Sequence, residues 1–80
     1  MVTFQLFAAA REAAGTATVT VPAGRTSDVL AALTAGHSAR FAAVLAICSL
    51  VAEGRRLDPA SHEPLPKGTV VHVLPPFAGG

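Results

Sequence analysis

The chain has 80 residues and a mass of 8.1 kDa, which is enough for one small domain. Its charged fraction is 14% and its net charge is +1, so its electrostatics favour neither a nucleic acid nor an anionic membrane as partner. No apolar run reaches the roughly 20 residues of a membrane-spanning helix, and residues 1–10 lack the positive start of a signal peptide. We therefore expect a cytoplasmic protein that binds neither a membrane nor a nucleic acid.

The first quarter of the chain predicts two strands joined by a short helical turn. Apolar and polar residues alternate from Val2 to Phe7, which is typical of a strand with one buried face. Residues 8–14 are rich in alanine and precede Gly15, a residue suited to ending a short helix. Thr16 to Val21 is β-branched and alternating, so it predicts a second strand, antiparallel to the first.

Two helical segments follow. Thr26 or Ser27 is expected to cap the main helix, in which Asp28 complements the helix dipole and an apolar stripe continues to Gly36. A second helical piece is predicted from Arg40 to Ile47, because its apolar residues recur at helical spacing.

The remaining residues predict further strands. Residues 49–52 and 55–57 flank a two-residue turn and predict a hairpin. Residues 58–67 contain three of the six prolines and are predicted to be irregular. Thr69 to Leu74 predicts a final strand, which Pro75-Pro76 ends because proline donates no ladder hydrogen bond.

This order of elements predicts an α+β domain over residues 1–74, in which a mixed sheet of four to five strands packs on one main helix. The first and last strands are the most apolar, so we expect them to pair centrally and in parallel. Residues 75–80 are predicted to form a flexible C-terminal tail.

Residues with catalytic or metal-binding potential are sparse. The three histidines, His37, His62 and His72, have no metal-ligand spacing, so we expect no metal site. Cys48 lies within an apolar run, which favours a buried and unreactive thiol. No set of residues for nucleophilic or acid–base catalysis is present, so a stand-alone enzyme is not expected.

The terminal pair Gly79-Gly80 is the most informative feature of the sequence. It lies beyond the proline stop, where it cannot extend the strand. Because glycines lack Cβ atoms, a diglycine can enter a narrow channel and adopt φ values that other residues avoid. A frayed terminus is the simpler interpretation. The functional interpretation is that Gly80 presents a reactive carboxylate on a slim arm.

The chain resembles the small subunit of molybdopterin synthase, the MoaD-type sulfur carriers of the ubiquitin-like β-grasp fold. The resemblance spans the whole length, and its most specific part is the ending from Pro75 to Gly80. Phe7-Ala8, Arg11-Glu12 and Gly15 also match. The sequence departs from the family at two turns, Glu53-Gly54 and residues 67–70, where relatives carry an asparagine and an acidic turn respectively.

The resemblance implies a carrier function. In the family, an adenylyltransferase related to ubiquitin-activating enzymes uses ATP to adenylate the terminal glycine, here Gly80, and a sulfurtransferase supplies the sulfur of the resulting thiocarboxylate. The tail then enters the large synthase subunit, within a heterotetramer, and delivers sulfur to a cyclic pyranopterin phosphate. No cofactor is bound by the carrier itself. The implied site residues are Gly80 and Gly79, together with the partner contacts Phe7, Arg11, Leu74, Pro75, Pro76, Phe77 and Ala78.

Other functions are compatible with the same features. A sulfur carrier for thiazole or cysteine synthesis shares the diglycine end, as does a ubiquitin-like modifier that conjugates to proteins. A β-grasp interaction module without terminal chemistry is the alternative from a different class.

Strand parity predicts where a partner docks. Phe7 shares the outward parity of Gln5 in the first strand, and Leu74 shares that of His72 and Val70 in the last. If these strands are neighbours, Phe7 and Leu74 form an exposed apolar patch, unless residues 58–66 cover it.

Overall fold

The computed structural model describes residues 1–76. Its elements, in chain order, are β1 (Val2–Leu6), α1 (Ala8–Ala14), β2 (Thr18–Val21), β3 (Gly24–Arg25), α2 (Thr26–Ala35), α3 (Ala39–Ala46), β4 (Ser49–Ala52), β5 (Arg55–Arg56), β6 (Pro64–Leu65) and β7 (Val70–Leu74).

Five of these strands form one mixed sheet in the order β2-β1-β7-β4-β5. The central pair, β1 and β7, is parallel, with Phe4 opposite Val71, whereas the other neighbouring pairs are antiparallel. The predicted α+β fold and the predicted parallel pairing of the first and last strands are therefore confirmed. A second, two-stranded ladder pairs β3 with β6.

The core lies on one face of this sheet. Alternate residues of the central strands point into it, and each helix described here contributes at least one buried residue to it. Phe4 and Phe41 are its largest fully buried side chains. Burying a side chain of this size stabilises the fold by about 1.5–3 kcal/mol relative to leaving it exposed. The helices thus cover one face and leave the other open.

The hairpin between β4 and β5 has the predicted two-residue turn. Glu53 (φ 53°) and Gly54 (φ 74°) both occupy the left-handed region. Two positive φ values in succession give a turn whose twist matches that of the flanking strands. The turn sets the register of the hairpin, in which Ala52 pairs with Arg55 and Val51 with Arg56.

The start of α2 differs from the sequence prediction. Its N-cap is Arg25, which makes no side-chain capping bond, so neither Thr26 nor Ser27 is the cap. The Thr26 hydroxyl instead donates to the Glu63 carbonyl (2.9 Å), which also accepts from the Thr26 amide. The backbone of the 58–67 segment thus satisfies amide groups that a capping side chain would otherwise serve.

Other predicted elements also differ in their bounds or content, and Phe7, Leu57 and Thr69 lie just outside the strands predicted to include them. The second strand begins at Thr18 rather than Thr16, because the Thr16 hydroxyl bonds locally to the Thr18 carbonyl. The second helical piece is α3, which is capped by the Ser38 hydroxyl and ends one residue before Ile47. The segment 58–67, predicted to be irregular, contains the short strand β6.

The described residues end just inside the predicted tail. Pro75 is buried and Pro76 is exposed, while residues 77–80 lie outside the part that the structure describes. The division into a domain at 1–74 and a tail at 75–80 stays a prediction. Neither α1, α2 nor α3 has the length and apolar character needed to cross a bilayer.

Candidate partner-docking face

The face of the sheet opposite the helices carries apolar and polar side chains together with one arginine. In β7, Val71 and Val73 are buried, whereas Val70 is exposed and His72 and Leu74 are half-buried. This alternation confirms the parity predicted for the last strand. We call this surface the open face, and its strand residues include Thr3, Gln5, Thr18, Thr20, Ser49, Val51, Arg56, Val70, His72 and Leu74.

Phe7 lies at the end of the open face, directly after β1. Its side chain is 40% exposed, and its ring centroid is 5.9 Å from that of His72. His72 is the cross-strand partner of both Gln5 and Val51, so it lies in the middle of the sheet. The phenyl ring therefore packs beside an open-face residue of the central strand and does not enter the core.

Leu74 lies at the same end of the sheet. It is opposite Ser49 of β4, and it shares a face with His72 because the two are separated by one residue in β7. The structure therefore brings Phe7 and Leu74 to one face of the sheet, at the end where the chain continues to Pro75.

Residues 58–67 are hydrogen-bonded to the start of α2 and do not cover Phe7. The Ser27 amide donates to the Ser61 carbonyl (3.0 Å), and Glu63 accepts from Thr26. These bonds hold the segment against the start of α2, and β6 pairs with β3 rather than with the five-stranded sheet. The alternative in which this segment covers Phe7 is not supported, since Phe7 remains accessible.

The other predicted contact residues are divided between the described region and the rest of the chain. Arg11 is exposed in the last turn of α1, where its amide donates to the Phe7 carbonyl (3.4 Å) and its carbonyl accepts from the Gly15 amide (2.9 Å). These are bonds of its backbone. Of the two prolines, the buried Pro75 packs against the domain, whereas Pro76 is accessible. Phe77, Ala78, Gly79 and Gly80 lie outside the described residues, so their assigned roles stay predictions.

The cysteine and His37 make local contacts within the described part of the chain. Within residues 1–76, no three histidine, cysteine or acidic side chains are grouped so as to hold a metal ion. The Cys48 thiol is half-buried and donates to the Val44 carbonyl (3.2 Å), and burial raises its pKa. His37 Nδ1 lies 2.9 Å from the Leu33 carbonyl oxygen, and the ring packs on Phe41.

Sequence reasoning missed one feature of the open face. Arg56 Nη2 donates to Ser49 Oγ (3.0 Å), which directs the guanidinium along β4 on this face. Strand parity could not be read from a strand of two residues. The hairpin register could have revealed it, because a two-residue turn at Glu53-Gly54 places Arg56 opposite Val51.

The fold and its open face define a protein of the ubiquitin-like β-grasp class. SAMP1 from Haloferax volcanii matches with a TM-score of 0.79 and 27% sequence identity, over 99% of this chain and 98% of that one. The Haloferax volcanii HVO 2177 protein matches with a TM-score of 0.68 and 25% identity, over 99% and 85% of the two chains.

A third match bears on the resemblance to the small subunit of molybdopterin synthase that the sequence indicates. It is a chain from the complex of subunits 1 and 2 of the molybdopterin-converting factor of Helicobacter pylori 26695, with a TM-score of 0.69. The identity is 23%, over 99% of this chain and 97% of that one, which establishes a common fold. The sequence matches no protein-family model and no curated protein. The resemblance to the small subunit of the molybdopterin-converting factor is therefore confirmed by the structure.

Proposed function

We propose that this protein is a cytoplasmic sulfur carrier that delivers sulfur from a C-terminal thiocarboxylate on Gly80 during molybdopterin biosynthesis. The observation that carries the proposal is the combination of a β-grasp fold, shared along almost its entire length with a molybdopterin-converting factor chain, with the sequence ending Gly79-Gly80. Neither feature alone would distinguish a carrier from a plain interaction module.

The proposed chemistry begins at the carboxylate. A carboxylate is a poor acyl donor, so a partner adenylyltransferase first joins it to the AMP moiety of ATP and releases pyrophosphate. A persulfide sulfur from a sulfurtransferase then attacks the acyl carbon and expels AMP, and reductive cleavage of the resulting acyl disulfide by a thiol leaves the thiocarboxylate. That sulfur is the nucleophile offered to the cyclic pyranopterin phosphate. Water then hydrolyses the thioester that joins the carrier to the pterin, which leaves the sulfur on the pterin and returns the carrier to its carboxylate form.

The protein's own part in this scheme is recognition. The carrier binds no cofactor in the scheme, and the ATP belongs to the adenylyltransferase. The open face supplies a surface on which the large synthase subunit docks. Phe7 and Leu74 lie on it near the end of β7, where the chain continues to Pro75. Apolar side chains at such a surface are typical anchors of protein–protein contacts. A complex with two copies of each subunit would let one large-subunit dimer receive two carriers.

Mass spectrometry of the protein purified from its own host tests the proposal. A thiocarboxylate replaces one oxygen with sulfur, so we expect a fraction of the protein to be heavier by about 16 Da than the carboxylate form. Purified protein incubated with the adenylyltransferase, ATP and a persulfide donor should gain the same mass. A terminus that stays a carboxylate under both conditions would contradict the proposal.

Binding assays distinguish the pathways. We expect the carrier to bind the large molybdopterin synthase subunit of its own organism, and to transfer sulfur to the pyranopterin in its presence. A thiocarboxylate carrier that instead binds a thiazole synthase or a cysteine synthase would confirm the terminal chemistry and reassign the pathway. Linkage of Gly80 to lysines of other proteins would indicate a conjugating modifier.

A further inference from the structure

The open face carries a charged group that the apolar patch alone does not explain. Its strand residues are otherwise polar or apolar without an acidic side chain, and Arg56 is the one arginine or lysine among them. The neighbouring Arg55 pairs with Ala52, whose side chain is buried on the helix side of the sheet. Adjacent residues of a strand point to opposite faces. Only Arg56 of this arginine pair therefore belongs to the open face.

The Arg56 side chain is held in a defined position. Its backbone lies opposite Val51, yet its Nη2 atom donates to Ser49 Oγ at 3.0 Å, two residues along β4. Ser49 is itself the cross-strand partner of Leu74. The hydrogen bond thus draws the guanidinium toward the Leu74 end of the sheet, where the apolar patch lies. A side chain already held in place loses less conformational entropy when a partner binds.

The guanidinium retains donors for another group. Arginine has five N–H donors, and among the described residues Ser49 is the side-chain partner that Arg56 has. The five acidic residues of the chain are elsewhere: Glu12 in α1, Asp28 in α2, Glu53 in the hairpin turn, and Asp58 and Glu63 in the connection to β6. Asp58 and Glu63 border a polar cleft of 330 Å³ beside β5 and β6, which Arg55 and Arg56 also line. Within residues 1–76, none of the strand residues of the open face is acidic.

We propose that Arg56 is a specificity-determining contact that binds a carboxylate on the docking surface of the partner protein, beside the apolar contacts of Phe7 and Leu74. The proposal rests on the proposed function, since it concerns the surface on which the large synthase subunit docks. The fork of donors fits a carboxylate with two parallel hydrogen bonds, a geometry that lysine does not reproduce. The partner surface is therefore apolar where it faces Leu74 and acidic where it faces Arg56.

Ser49 acts in this contact as a positioning residue. Its hydroxyl holds the guanidinium toward the Leu74 end of the sheet, and it is not itself proposed to contact the partner. Removing the hydroxyl leaves the charge but frees the side chain, so we expect Ser49→Ala to weaken binding less than the loss of Arg56 does. The residual effect should vanish when Arg56 is already replaced, because the two residues act as one unit.

Titration of the full-length protein with the large molybdopterin synthase subunit of its own organism tests the inference. We expect Arg56→Gln to raise the Kd about tenfold or more, Arg56→Glu to raise it further, and Arg56→Lys to recover only part of the affinity. Arg55→Gln is the matched control, with a Kd within about twofold of the unmodified protein. The difference between Arg56 and Arg55 variants should shrink as salt is raised.

The outcomes separate this inference from the proposed function. If the unmodified carrier binds the large subunit but Arg56→Gln binds equally well, the Arg56 contact is wrong and the carrier role stands. If Arg55→Gln loses as much affinity as Arg56→Gln, the effect is general electrostatic attraction and the assigned contact is wrong. If the unmodified carrier does not bind the large subunit, both the assigned partner and the Arg56 contact are wrong.

Discussion

Cys48 shows how a local contact governs the reactivity of a single residue. Its thiol lies just after α3, where it is half-buried and donates to the Val44 carbonyl. Burial disfavours the charged thiolate, so the pKa of Cys48 is raised from its ordinary value of 9.0. The predicted unreactive thiol is consistent with this environment, although the side chain is half-buried rather than fully enclosed.

We expect iodoacetamide to modify Cys48 more slowly in the folded protein than in the urea-unfolded chain, with the half-maximal rate at a higher pH. The thiolate is the reactive form, and folding makes it scarcer. Because the folded pKa exceeds the unfolded one, the stabilising effect of the neutral thiol is fully present below the unfolded pKa and is lost as pH rises through the folded pKa. Cys48→Ser, which has no other cysteine, is the unlabelled control. Equal pH profiles for the two states would contradict the assignment.

Arg11 is a residue whose exposure predicts a small contribution to stability. Its side chain is exposed, so its charge is available for recognition and contributes little to folding. We expect Arg11→Ala to change the free energy of unfolding by no more than about 0.5 kcal/mol, which corresponds to a Tm shift within about 4 °C. Differential scanning calorimetry measures this directly. A loss of many degrees would show that Arg11 is structural.

At the scale of the element, the proposed docking depends on the open face of the five-stranded sheet. Phe7 and Leu74 lie on it but outside the buried core, so their side chains can be truncated without opening a large cavity. We expect Phe7→Ala and Leu74→Ala each to raise the Kd for the large synthase subunit about thirtyfold, as anchor residues worth about 2 kcal/mol do. Isothermal titration calorimetry is the measurement.

Two control variants accompany the Phe7→Ala and Leu74→Ala measurements, one for binding and one for stability. Ile47 is a large apolar residue that is more exposed than Phe7 and follows α3 rather than a strand, so Ile47→Ala should bind normally. Phe41 is fully buried, so Phe41→Ala should lower the free energy of unfolding by about 3–5 kcal/mol. Phe7 and Leu74 variants that unfold like Phe41→Ala, yet bind normally once folded, would place these two residues in the core.

The elements that the sequence predicted either have enough residues to show a period or, like β4 and β5, flank a recognisable two-residue turn. The alternation of Val2, Phe4 and Leu6 was sufficient to predict a buried face, and the matching alternation in β7 predicted its central neighbour. The strands β3 and β6 have two residues each and show no period. Their pairing follows from contacts such as that of Thr26 with Glu63, 37 residues away, which no local pattern encodes.

At the scale of the whole molecule, the buried core of residues 1–76 supports the fold, and the proposed terminal chemistry is assigned to Gly79 and Gly80. The core cluster runs from Val2 to Val73. We expect deletion of Gly80 to leave the Tm unchanged within about 4 °C while abolishing ATP-dependent adenylation, and Gly79→Ala to impair adenylation by adding a Cβ to the tail. Pyrophosphate release and calorimetry on the same samples separate the two effects. Normal thiocarboxylate formation by both variants would contradict the assignment of Gly79 and Gly80.

The parallel pairing of β1 with β7 has a consequence for synthesis. Among the described elements, the strand at the centre of the sheet is the last one made, so β1 and β4 emerge from the ribosome with no strand between them. A nascent chain that stops before Val70 therefore exposes two unpaired strand edges and the apolar side chains that β7 would cover. Such a fragment is a substrate for chaperones and proteases. The open face is thus completed only when β7 joins the sheet, and β7 is also the strand that leads to Pro75.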